Sequence, residues 1–239
     1  MQVPRSKLFV PGDRLDELPR AISTAADALS FDLEDSVAAA GKAAAREAVA
    51  GALRQTRLDA QAWVRVNGAD SGLLVADLLS LAGTHVDVIN LPKVEAPAEI
   101  TLVQCLIEHI EAASGSRRRI MIVPTIESPR GLRRARAIAA ASPRVLALQL
   151  GAGDLRRATG IDESGLAALR TLLSLAAAES GVAALDSTPH GLEDPDSFES
   201  EARAARALGM RGKSCMHPAQ VPIANRIFAD LARGRAPGP

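Results

Sequence analysis

The sequence predicts an α/β fold: a single (β/α)8 TIM barrel domain spanning residues 1–239. Three observations carry that expectation. Short, apolar, β-branched runs recur along the whole chain, as strands buried on both faces of a sheet do. Stretches with helical apolar spacing separate them, and strict strand-then-helix alternation implies parallel strands joined by right-handed crossovers. Eight such repeats follow one another with no linker or composition break, which is what a closed barrel requires. An open doubly wound sheet is the alternative, but the first turn, Pro11-Gly12-Asp13, is not a G-x-G-x-x-G fingerprint.

Each repeat is read from its own residues. Leu8 to Val10 is a strand closing in the Pro11-Gly12-Asp13 turn, and residues 15–25 have helical spacing. The second strand, 28–33, runs into the acidic stretch Asp32-Leu33-Glu34-Asp35 and precedes an Ala-rich helix over 42–53. The third, 63–68, has a cation inside it, Arg65, and is followed by a helix over 73–81. The fourth, 86–91, ends in Pro92-Lys93 before a helix over 100–112. The fifth, 120–126, ends in Glu127 and the turn residues Ser128-Pro129, with a helix over 130–140. The sixth, 145–150, ends in Gly151-Ala152-Gly153-Asp154, and the next helix covers 166–180. The seventh, 182–185, ends in Asp186, and a helix over 196–208 leads to the eighth, 212–216, which ends in His217-Pro218. A last helix covers 219–232, and Val221, Ile223, Ile227, Phe228 and Leu231 give it an apolar face that an oligomer partner, or its own barrel, would cover.

Composition narrows the function classes. Hydrophobic residues are 47% but aromatics only 2%, so the core is aliphatic and a base-stacking nucleic-acid module is not expected. Lys+Arg and Asp+Glu balance at 28 each, which points to neither a polyanion nor a membrane surface. Cys105 and Cys215 have no metal-ligand spacing, and a reduced, cytoplasmic setting is the economical reading.

In a parallel barrel the strand C-termini share one face, so their polar residues should converge there. They are Asp13, Arg14, Glu34, Asp35, Arg65, Asn67, Lys93, Glu95, Glu127, Asp154, Asp186 and His217. Glu127 and Asp154, at the ends of successive strands, are placed to face one metal ion, while a single strand-end acid would do no more than cap the next helix. The small residues Gly151, Ala152 and Gly153 allow close approach of a carboxylate to their backbone amides. Other polar residues have plainer readings: Asp32 with Lys42 as a structural charge pair, Arg117-Arg118-Arg119 as a solvated face, Cys215 as a small buried hydrophobe, and His190 as open. Lys93 as a Schiff-base former is disfavoured, because a neighbouring acid, Glu95, opposes the lowered pKa such a lysine needs.

Seven phrases in order resemble the citrate lyase beta-subunit-like branch of the HpcH/HpaI aldolase family. They are Arg5-Ser6-Lys7-Leu8-Phe9-Val10-Pro11-Gly12, Asp32-Leu33-Glu34-Asp35-Ser36-Val37, Arg65-Val66-Asn67-Gly68, Leu91-Pro92-Lys93-Val94-Glu95, Ile126-Glu127-Ser128, Gly151-Ala152-Gly153-Asp154-Leu155 and His217-Pro218-Ala219-Gln220. The resemblance implies a Mg2+-dependent carbon–carbon lyase that cleaves a short 3-hydroxyacyl-CoA to a keto acid and acetyl-CoA, often as a homotrimer. Carried over by position, Glu127 and Asp154 are implied as metal ligands, Arg65 as the substrate-carboxylate clamp, and Glu34 and Asp35 as the residues around metal-bound water. Gly12, Arg14, Met216 and His217 lie where the family contacts the CoA arm.

Two departures accompany the resemblance. Gly153 stands where the family usually has an acid before its second ligand. The ending Arg233 to Pro239 is expected to lack the C-terminal lid, with its acid–base Asp, of longer relatives. Two alternatives therefore stay open: a CoA-independent aldolase acting on a free hydroxy-keto acid, and a catalytically weak barrel that binds a keto acid or CoA.

Overall fold

The computed structural model describes residues 1–115, 118–162, 164–188 and 194–229. Eight parallel strands close in sequence order: β1 (Ser6–Pro11), β2 (Ala28–Asp32), β3 (Gln61–Arg65), β4 (Val88–Leu91), β5 (Met121–Ile126), β6 (Ala147–Leu150), β7 (Ala183–Asp186) and β8 (Gly212–Cys215). Closure is made by β8 on β1, with Ser6 opposite Lys213 and Leu8 opposite Cys215. The helices are α1 (Leu18–Ile22), α2 (Lys42–Gln55), α3 (Leu74–Ser80), α4 (Pro97–Ser114), α5 (Pro129–Ala139), α6 (Ala152–Thr159), α7 (Leu166–Glu179), α8 (Pro195–Ala207) and α9 (Gln220–Ile227). The expected barrel is therefore the fold of the chain.

Alternation along each strand divides the core in two. One parity packs inside the barrel, where Ala28, Trp63, Val88, Val123, Ala147 and Leu185 fill a single apolar layer. The other parity, including Leu8, Leu29, Val64, Ile89, Ile122 and Leu148, meets the helices in a larger shell. With so few aromatics, Trp63 is the largest side chain of the interior, and it is wholly buried.

Three departures from the sequence reading have local causes. The expected helix over 15–25 is a 3-10 turn, Leu15–Glu17, followed by the short α1, because Pro19 cannot donate inside a longer helix and sits in its first turn instead. Helix α6 was not expected; it is stopped by Gly160 in the left-handed region, φ 72°. Helix α9 buries Val221, Ile227 and Phe228 and packs on α8, β1 and β8, so its apolar face closes its own barrel and gives no argument for an oligomer. Leu231, His190, Arg117 and the ending 233–239 lie outside the described residues.

Candidate active site

Strand register brings Arg65, at the end of β3, directly opposite Asp32, at the end of β2. Its guanidinium grips Asp32 with a two-pronged fork, Nε to Oδ1 at 2.7 Å and Nη2 to Oδ2 at 2.6 Å. The remaining nitrogen, Nη1, faces Glu34 Oε2 at 3.2 Å and Asp35 Oδ2 at 3.4 Å. Burial opposes the Asp32 charge, but the Arg65 hydrogen bonds and charge overcome it and hold this carboxyl at about 2. The sequence reading is corrected at two points. Asp32 pairs with Arg65, whereas Lys42 donates to the backbone oxygens of Leu33 and Glu34 at 2.8 and 2.5 Å. The Arg65 fork is spent on Asp32, leaving one edge rather than a bidentate clamp for a substrate.

Lys93 has φ 55°, a left-handed conformation that costs a non-glycine residue energy and that is found where surrounding structure imposes it. Its ammonium reaches Glu34 Oε1 at 2.6 Å, and that hydrogen bond raises its proton affinity, so it is no Schiff-base amine. The sequence reading named Glu95 as the opposing acid. Glu95 instead accepts from Ser128 Oγ at 2.6 Å, beside the start of α5.

Glu127 follows β5 directly, 7% exposed, and Asp154 lies in the first turn of α6. Burial, then the charges of Glu34 and Asp154 and a hydrogen bond with Asp154, push the Glu127 carboxyl up to about 8. Glu34 is raised as well, chiefly by burial, and its Oε2 is buried with no hydrogen bond. Arg157, one helical turn on, pairs with Asp154. Acids packed this closely hold a proton or a cation between them. Among the described residues no three acids, imidazoles or thiols are set as a cage. The protein thus offers two carboxylates, a donor set that fits an oxygen-seeking ion which keeps water and substrate in its other positions, as Mg2+ does.

Gly151 makes this packing possible, since a Cβ there would stand 2.3 Å from Glu127 Cγ. Two of the three amides expected to hold a carboxylate are already used: Gly151 N–H donates to Ile126 O at 2.8 Å and Ala152 N–H to Ser187 Oγ at 3.1 Å. Gly153 and Asp154, as second and third residues of α6, keep N–H groups with no partner inside the helix. Arg65, Glu127, Gly151, Ala152, Gly153, Asp154, Asp35 and Met216 line one cavity of about 590 Å³. At the rim, Arg14 is exposed and pairs with Glu17 at 3.0 Å, and Gly12 lies in the tight turn against Asp32 O. The Met216 and His217 N–H groups are pinned by Gln220 Oε1 at 2.7 and 3.1 Å.

One member of the expected cluster, Asp186, points away from this mouth, and a second, Asn67, borders a neighbouring cavity with Glu34, Asp35 and Lys93. Asp186 is fully buried between the barrel and its helices, bound to Arg170 at 3.0 Å and to Lys213 at 2.5 Å. Asn67 is tied through its backbone and side chain to Asp77, which Arg46 neutralises at 2.7 Å. Arg118 is likewise no solvated cation, since it pairs with Asp87 at 2.8 Å. Cys215 is the expected buried hydrophobe, its thiol pushed up to about 12 by burial. Thr125, Gln149, Ser187 and Ser214 line the cavity and were missed.

A closed parallel barrel with buried acids, one half-committed arginine and a cavity at the C-terminal strand ends is a barrel enzyme. The pattern of HpcH/HpaI aldolase/citrate lyase matches residues 5–218. The L-malyl-CoA/beta-methylmalyl-CoA lyase of Cereibacter sphaeroides is 33% identical, over 94% of this chain and 78% of its own length. The citrate lyase subunit beta of Escherichia coli is 35% identical, over 94% and 76%. A citrate lyase beta subunit from Mycobacterium tuberculosis, solved with oxaloacetate and magnesium, superposes with TM-score 0.78 at 31% identity, over 94% of this chain and 96% of that one. The chain belongs to the HpcH/HpaI aldolase/citrate lyase family.

Proposed function

We propose that the protein is a Mg2+-dependent carbon–carbon lyase that cleaves a short 3-hydroxyacyl-CoA, of citryl-, citramalyl- or malyl-CoA type, into a keto acid and acetyl-CoA. The observation that carries this reading is the packing of Glu127 against Asp154 beside Glu34, which leaves Glu127 holding a proton up to about 8. Family membership supports the reaction class, and a relative solved with magnesium, acetoacetate and coenzyme A supports the choice of ligands.

Glu127 and Asp154 would hold the ion. When bound, it supplies positive charge where the substrate's hydroxyl oxygen becomes negative as the bond breaks. The Nη1 edge of Arg65, which faces Glu34 and Asp35, and the Gly153 and Asp154 amides orient the keto-acid carboxylate. Asp32 keeps Arg65 in place, so little reorganisation is needed when substrate arrives. Glu34 and Asp35, steadied by Lys93, would order water beside a bound ion, and Glu34 Oε2 is the buried oxygen able to accept a proton. Gly12, Arg14, Met216 and His217 form the rim against which the CoA arm lies.

A homotrimer in the cytoplasm completes the proposal. Exposed Val75 and Leu79 on α3, Leu102 on α4, and Leu172 and Leu175 on α7 supply apolar surface for a partner. No helix among the described residues is long and apolar enough to cross a membrane. The test is acetyl-CoA release from citryl-, citramalyl- and malyl-CoA with and without Mg2+. Metal-dependent release from at least one is expected, and none from all three refutes the reading.

A further inference from the structure

Between the apolar layer at Trp63 and the carboxylates at the mouth, the barrel interior turns polar. Lys7 on β1 is 2% exposed, with its Nζ 4.5 Å from the Phe9 ring centroid and 5.2 Å from that of Trp63. Its hydrogen bonds go to neutral amides, to Asn90 Oδ1 at 2.9 Å and to Gln149 Oε1. Burial, then the Arg65 charge, lower its proton affinity, yet amine and ammonium alike carry at least two N–H groups, enough for both bonds.

This donor takes the side-chain oxygen of each amide. With their oxygens turned toward Lys7, both amides must donate outward. Asn90 Nδ2 donates to Val123 O at 2.9 Å and to Thr125 Oγ1 at 2.8 Å. Gln149 Nε2 donates to Ser214 Oγ at 3.2 Å. Val123 O can only accept, so it sets the Asn90 amide independently, whereas the Gln149 amide is set by Lys7 alone. Each hydroxyl thus accepts a bond and still holds its own proton, for which the described residues supply no acceptor. Thr125 and Ser214 are 5% and 2% exposed, and both line the cavity of Arg65, Glu127 and Asp154. Buried hydroxyl protons beside a cavity call for an oxygen on whatever fills it.

We propose that Lys7 is a positioning residue that, through Gln149, presents Ser214 as a donor on the cavity floor beside Thr125, which Asn90 and Val123 set, and that this floor selects a keto acid whose third carbon bears a hydroxyl or a carboxylate over one ending in a methyl. The inference rests on the keto-acid reading above and adds the class of substituent that the floor takes.

Hydroxypyruvate and 2-oxobutyrate differ only by OH against CH3 at the end of the same short chain, and they serve as probes. Their affinities are measured by calorimetry with the full chain and saturating Mg2+. The wild type should bind hydroxypyruvate at least about tenfold more tightly, as expected when a buried donor is left unpaired by the methyl analogue. Thr125→Val with Ser214→Ala should bring that ratio to near one. Lys7→Met, which touches no ligand, should lower the ratio by freeing the Gln149 amide to turn. A purely structural lysine would instead weaken both ligands in proportion. Should Lys7→Met fail to fold, the hydroxyl pair still decides the specificity. A wild-type ratio near one, or a ratio unchanged in the Thr125/Ser214 pair, overturns the inference alone. Binding of neither keto acid by the wild type overturns the keto-acid reading and the inference with it.

Discussion

Glu127 should make metal binding and stability depend on pH in opposite senses. Its carboxyl titrates at about 8 in the folded barrel against 4.5 for a free glutamate. Between those values the folded protein binds a proton that the unfolded chain has lost. Stability from this group is therefore full below about pH 4.5 and declines as pH rises toward 8. Without added metal, the melting temperature should fall over that window. At the proposed site Mg2+ would compete for the same oxygens, so at pH 6, two pH units below the midpoint, displacing the proton should cost about 2.7 kcal/mol and weaken apparent affinity roughly 100-fold relative to pH 9. Calorimetric titration with Mg2+ at pH 6 to 9, in two buffers of different ionisation heat, counts the protons released. Close to one is expected at pH 6 and close to none at pH 9. Equal affinity across that range, or binding without proton release at pH 6, refutes the pairing of Glu127 with Asp154 as the metal site.

Arg65→Lys keeps a charge but cannot reproduce the fork on Asp32. A loss of about 1–3 kcal/mol in both kcat/KM and urea-denaturation stability is expected, and unchanged values would remove Arg65 from the site. Through that same pair, Asp32 contributes about 2 kcal/mol that is present above about pH 4 and lost as pH falls to about 2; acid titration of the Arg65→Lys variant should show this step flattened. Gly151→Ala puts a methyl 2.3 Å from Glu127 Cγ, so Glu127 must move. Mg2+ affinity should drop at least about tenfold with overpacking of about 1–3 kcal/mol, and wild-type affinity by calorimetry would contradict the packing. Asp186→Asn leaves buried Lys213 and Arg170 with Glu201, at 3.2 and 3.3 Å, as their remaining counter-charge and should cost about 3–5 kcal/mol of stability; a loss below about 1 kcal/mol in denaturant would show that Glu201 suffices for both.

The barrel was legible because it depends on pattern alone: repeated apolar runs, alternating with helical spacing, leave few topologies. That Glu127 and Asp154 lie at the cavity was legible for a related reason, since the one follows β5 directly and the other comes four residues after β6. Register was not legible. The fork of Arg65 on Asp32 exists because β2 and β3 align Asp32 with Arg65, and no feature of either strand alone states that alignment. Helix α6 escaped because Gly151-Ala152-Gly153 reads as a loop, while its αL stop at Gly160 was the signal that a short helix ends there.

Asp186 and Asp154 carry the same signal, an acid where a strand stops, yet only one reaches the cavity. Parity separates them. Leu185 belongs to the interior layer, so Asp186 must point out to the helices, where Lys213 and Arg170 meet it. Two positions past Leu185 is Ser187, which does line the cavity. The same step of two carries Trp63 to Arg65, Val123 to Thr125 and on to Glu127, and Ala147 to Gln149 and on to Gly151. Every residue so reached lines the site. At the end of β8, Ser214 and Met216 line the cavity and Cys215 between them does not, which again follows from the pleat. Strand ends thus locate a barrel's mouth, and on β5 and β7 counting by twos from a buried interior residue names side chains that enter it; the same count on β6 brings in Gln149, and on β7 it replaces Asp186 with Ser187.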